Sequence, residues 1–79
     1  MLDKNVFMRH IRRLEIEYAK DNFTMSKARC DQWYEFMKDF DEQVFGKAVD
    51  WVLMNCRNAP SMADVMKGYK ESYDGYRKA

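Results

Sequence analysis

Residues 33–56 read WYEFMKDFDEQVFGKAVDWVLMNC, and this stretch decides the fold. Trp33, Phe36, Met37 and Phe40 share one face of a helix, and Phe45, Ala48, Val49, Val52 and Cys56 do the same after the break at Asp39-Phe40-Asp41. Two amphipathic helices meeting at a turn present two apolar faces, and each face must find a partner to leave water. The segments on either side are patterned to supply those partners.

Upstream, Phe7, Ile11, Leu14 and Tyr18 recur every three or four residues behind Asp3, a residue suited to cap a helix. The opposite face carries Arg9, Arg12, Arg13 and Ile16. Asp21-Asn22 ends that pattern, Phe23 and Met25 turn inward, and Ser26 caps the next helix. Within the hinge, Asp41 serves as the cap of the third helix, with Glu42 adding charge at the positive end of its dipole and Arg57 answering it at the other end. Downstream, Asn58-Ala59-Pro60 is the one proline break; Ser61 and Asp64 form a capping-box pair, and Met62, Val65, Met66, Tyr69, Tyr73 and Tyr76 define the face of a fourth helix. Gly68 and Gly75 weaken that last pattern, so its end is expected to fray. The expectation is an all-α domain spanning residues 1–79, a small compact bundle of four helices over about 3–20, 26–39, 41–57 and 61–77. Strict apolar/polar alternation is absent, which excludes a β reading.

The totals narrow the function. Fourteen basic and thirteen acidic residues leave a net charge of +1, so no global field draws the protein onto nucleic acid or anionic lipid. No apolar run is long enough to span a bilayer, and the charged N-terminal stretch does not read as a secretory signal; a cytoplasmic location is expected. Cys30 and Cys56 lie on apolar helix faces without CxxC spacing and are read as reduced core thiols. His10 is the only histidine. It stands among arginines with no recognisable catalytic partner, and no phosphate-binding glycine loop, HExxH or nucleophile elbow occurs. No enzyme activity, cofactor or metal site is therefore expected, and the acids Asp39, Asp41 and Glu42 are read as helix-start residues.

Two surfaces remain. Arg9, Arg12 and Arg13 project together and are the candidate nucleic-acid contact of a small DNA-binding regulator, although Glu15 and Glu17 flank them and no helix has the composition of a recognition helix. Trp51, Tyr73 and Tyr76 extend the aromatic surface beyond what a small core needs, and Tyr and Trp are enriched where proteins meet. An oligomerising structural module is the blander use of the same tyrosine stripe.

The series Phe23-x-Met25-Ser26, then Trp33, then Phe40-Asp41 with Val44 and Ala48-Val49, and finally Ala59-Pro60-Ser61-Met62-Ala63-Asp64-Val65, resembles the phage replicative-helicase loader and inhibitor family in order and spacing. The resemblance runs from about Val6 to Tyr69. It implies the all-helical N-terminal domain of a small replication protein that binds a hexameric replicative helicase, restrains its ATPase and unwinding, and helps deliver it to an origin-binding protein. In that family the helicase contact is attributed largely to a flexible tail after the folded domain. This sequence departs there, ending at Ala79, and Tyr73, Tyr76, Arg77 and Lys78 are the residues nearest to such a tail. They and Trp51 are the expected contacts with a helicase or its loader.

Overall fold

Every helix begins with the same local pattern. In a computed structural model, which describes the backbone of residues 1–78 and the side chains of residues 1–75, the helices are α1 (Lys4–Glu17), α2 (Lys27–Met37), α3 (Glu42–Asn55) and α4 (Met62–Lys78), with a short 3₁₀ turn at Ala19–Asp21. Asp3, Ser26 and Asp41 stand in extended backbone before α1, α2 and α3, and each side chain accepts amide hydrogen bonds from the first turn. Ser61 does the same for α4: the Ser61 amide donates to Asp64 Oδ2 at 2.9 Å and the Asp64 amide to Ser61 Oγ at 3.4 Å, which is the reciprocal pairing of a capping box.

Just before each cap stands an apolar residue, and four positions after each cap stands another: Leu2 and Phe7, Met25 and Cys30, Phe40 and Phe45, Pro60 and Val65. Such a pair clips the incoming chain to the first turn and fixes its entry angle. For α3 the clip is visible as ring contact, with the Phe40 and Phe45 centroids 6.3 Å apart.

Contacts between helices fix the topology. Phe7 stacks on Phe45, Arg13 ion-pairs with Asp50, and the Tyr18 hydroxyl donates to the Cys56 carbonyl at 2.6 Å and lies 3.2 Å from that of Val52, so α1 and α3 advance side by side in the same direction. Tyr18 thereby satisfies the Cys56 carbonyl just past the end of α3 and shares that of Val52 with the Cys56 amide. Helix α2 runs back along α1, with Lys4 on Asp31 at 2.9 Å, the Tyr34 hydroxyl on the Leu2 carbonyl at 2.7 Å, and the Met25 amide on Glu15 at 3.1 Å. After a short turn, α4 returns along α3. Asn22, the single non-glycine residue of positive φ (58°) among the described residues, makes the turn after the 3₁₀ segment in a conformation that asparagine tolerates.

The core is Leu2, Phe7, Ile11, Leu14, Tyr18, Phe23, Cys30, Trp33, Met37, Phe45, Val49, Val52 and Val65, drawn from all four helices and the segments before α1 and α2. No buried polar side-chain atom among the described residues lacks a hydrogen-bond partner. The radius of gyration, 11.8 Å, matches the roughly 12 Å of a folded chain this long.

Three details differ from the sequence reading. Phe36 is 59% exposed, because α2 buries Cys30, Trp33 and Met37, and a residue one position before Met37 falls well off that seam. Leu2 is fully buried, with its amide donating to the Lys38 carbonyl at 2.7 Å, so the chain is anchored ahead of α1. Helix α3 stops at Asn55 with Cys56 extended, which leaves Arg57 outside the helix.

Gly68 marks a close approach of α4 to α3. A Cβ there would lie 2.9 Å from the Ala48 carbonyl oxygen and 3.0 Å from Trp51 Cε3, so any side chain would wedge α4 off α3. Gly75, seven residues later, has nothing within 4 Å of the same point. The first half of α4 is thus pressed into the bundle, and the second half extends beyond that crossing.

Candidate functional site

The crossing at Gly68 sends Tyr69 across the α2–α3 turn. Its ring stacks on Phe40 with centroids 3.7 Å apart and planes 13° from parallel, and its hydroxyl accepts the Asp41 backbone N–H at 2.9 Å. Tyr73, one turn on, continues the stack at 5.9 Å and 25°. These rings join the core through Phe45 and Phe7, so a line of aromatic contacts runs from the centre of the bundle to its surface.

At the surface end the stack lines a groove of about 500 Å³ bounded by Met1, Asp39, Phe40, Asp41, Tyr69 and Tyr73. Three stretches of chain build it. Met1 is held at the rim because Leu2 is bonded through both its amide and its carbonyl to α2 and the turn that follows. Asp41 is fixed by its capping role: Oδ1 accepts the Gln43 amide at 2.9 Å and the Val44 amide at 3.1 Å, leaving Oδ2 to accept elsewhere. Asp39 is exposed and has no ion-pair partner among the described residues, while neighbouring Lys38 is engaged by Glu35 at 2.8 Å. The groove therefore has an aromatic floor, Met1 at one lip and two carboxylate residues at the other.

Of the predicted contact residues, the structure brings Tyr73 to this groove. Trp51 lies elsewhere, half-buried against Gly68 and the core, with its carbonyl accepting from Asn55 Nδ2 at 2.8 Å. Helix α4 continues through Tyr76, Arg77 and Lys78, whose side chains lie outside the described residues. The sequence reading missed Met1 as a rim residue and placed Phe40 and Tyr69 simply in the core. The signal that could have found Phe40 is its position immediately before the Asp41 cap, where an apolar residue sits at the mouth of a turn.

The basic trio is divided. Arg9 and Arg12 are exposed, but Arg13 ion-pairs with Asp50 and its Nη1 lies 3.0 Å from His10 Nδ1. His10 is wedged between α1 and α3, edge-on to Phe45 with centroids 5.6 Å apart. Burial, then the positive fields of Arg13 and Arg9, hold its pKa below the usual histidine value. The imidazole Nδ1 accepts from Arg13, and wedged between the two helices the ring acts as a packing element.

The cysteines are free, Cys30 buried and Cys56 half-buried, and burial raises both thiol pKa values. They are poor nucleophiles and poor ligands in that state. No group of three or more metal-binding side chains is assembled among the described residues, and among them no helix is long and apolar enough to cross a membrane. No family model, curated protein or solved structure matches the chain.

Proposed function

We propose that this protein is a non-enzymatic binding module that docks on another protein through the groove between the α2–α3 turn and α4, and that its partner is a replicative helicase or the protein that loads it. The observation that carries the docking reading is the aromatic line itself. Phe40 and Tyr69, stacked and half-buried, lead out of the core to an open groove that Tyr73 also lines, an arrangement suited to receiving a partner's side chain. Rigid aromatic side chains held by their neighbours lose little entropy on binding and make effective anchors. The choice of partner rests on the resemblance: of the residues that carry it, Phe40 and Asp41 line the groove, while Ser26 and Pro60-Ser61 are caps and clips that set the helices elsewhere in the bundle. In this reading the module acts in the host-cell cytoplasm, holding or delivering the helicase, with an origin-binding protein as the implied recipient.

The DNA-binding alternative loses ground because Arg13 is committed to Asp50 and His10. The test is capture of the purified cognate helicase, and separately of its loader, by the immobilised chain. The wild-type chain should retain one of them, and Tyr73→Ala should weaken retention by about tenfold or more, as expected for an interface anchor. Failure to retain either protein ends the helicase reading; retention that ignores Tyr73→Ala moves the contact away from the groove.

A further inference from the structure

The bundle contains a second aromatic cluster, and that cluster shows what belongs on such a surface. Phe23 and Trp33 lie 6.3 Å apart, and the Arg29 guanidinium covers both, 5.2 Å from the Phe23 centroid and 5.4 Å from that of Trp33. Its Nη1 is steadied by the Thr24 carbonyl at 3.3 Å. At the other end of α2, Lys4 stands over Tyr34 at 5.5 Å while ion-pairing with Asp31 at 2.9 Å. Twice, then, an exposed edge of aromatic surface is closed by a cation that an oxygen acceptor holds in place. The groove repeats the aromatic surface and the acceptors, since Phe40 and Tyr69 are stacked beside Asp39 and the Oδ2 of Asp41, yet no lysine or arginine among the described residues stands over Phe40 or Tyr69.

We propose that the groove receives an arginine side chain from a basic segment of the partner protein, its guanidinium against the Phe40–Tyr69 stack and forked to Asp39 and Asp41, its methylene stem along Met1. This rests on the docking reading above and deepens it by naming the chemistry of the bound segment. Arginine fits better than lysine because a planar guanidinium stacks on a ring while donating in parallel to a carboxylate, whereas an ammonium is a compact and strongly hydrated charge. A phosphate-bearing ligand does not fit, because two carboxylates at the lip repel it.

The experiment follows amide chemical shifts of the isotopically labelled full chain during titration with Nα-acetyl-arginine amide and with its neutral isostere Nα-acetyl-citrulline amide. The arginine probe should shift the amides of Asp39, Phe40, Asp41, Tyr69 and Tyr73 saturably, and the citrulline probe should bind the same site about threefold or more weakly. Asp39→Asn, an exposed change that leaves the fold intact, should weaken the arginine probe about threefold, and added salt should narrow the gap between the two probes. Equal shifts with both probes, unsaturable shifts spread over the acidic surface, or indifference to Asp39→Asn each overturn the proposal. A chain that captures the helicase through Tyr73 but ignores the arginine probe keeps the docking reading and loses this one; a chain that binds the probe but neither replication protein does the reverse.

Discussion

The two aromatic clusters of this bundle are built from similar residues and end in opposite states. Tyr18, Phe23 and Trp33 form a closed cluster: all three are buried, the tyrosine hydroxyl is spent on the Cys56 carbonyl at the end of α3, and Arg29 lies over the outer rings. Phe40, Tyr69 and Tyr73 form an open one, with Tyr73 38% exposed and Met1 83% exposed at the rim. Composition does not separate them. What separates them is burial: the first is enclosed within the bundle, whereas the second reaches the rim of a groove.

The sharpest way to break the closed cluster is Trp33→Ala. Removing a side chain only 4% exposed should cost about 3 to 5 kcal/mol, a large part of a small domain's stability, measured by urea unfolding. Next in size is Gly68→Ala, which drives a methyl group toward the Ala48 carbonyl and Trp51 and should cost about 1 to 3 kcal/mol. Because that crossing sets Tyr69 over Phe40, the same variant should also disturb the open cluster, visible as changed ring-current shifts of Phe40; normal shifts would separate the groove from the crossing.

A smaller effect should appear with pH. The folded state holds the His10 pKa below its unfolded value of 6.5, so the unfolded chain takes up the proton first as pH falls. Stability should therefore decline from about pH 6.5 downward until the folded-state pKa is reached, and His10→Gln should flatten that part of the profile in urea titrations. Since His10 packs edge-on to Phe45, the inner end of the open cluster feels this charge. The smallest stability change is expected at Tyr73→Ala, within about 0.5 kcal/mol by thermal unfolding. A loss comparable to that of Trp33→Ala would make Tyr73 a core residue and erase the contrast between the clusters.

The helices were legible because their starts are written locally. Asp3, Ser26, Asp41 and Ser61 announce caps, and the three-and-four spacing behind each announces a buried face, so the all-α bundle follows from neighbours in sequence. Phe36 was misplaced because a face drawn across a helix end averages two directions, and α2 stops at Met37. Leu2 was overlooked because a single apolar residue ahead of a cap makes no periodic signal; only its pairing with Phe7 four residues after the cap reveals it. The groove was illegible for a different reason. It needs α4 to cross α3 at Gly68 so that Tyr69 lands on Phe40 and its hydroxyl meets the Asp41 amide, 28 positions away, a relation that no local pattern encodes. Likewise, Arg13 belongs to an apparent basic face until Asp50 is seen opposite it.

The anchoring of Leu2 has a practical consequence. With its amide on Lys38 and its carbonyl under the Tyr34 hydroxyl, whatever is attached ahead of Met1 begins at the lip of the groove. An affinity tag fused at that end would compete for the very surface that a binding assay is meant to interrogate, and a basic tag would mimic its occupant. Immobilisation through a cysteine introduced on the exposed face of α3, at Met54, would leave the groove clear.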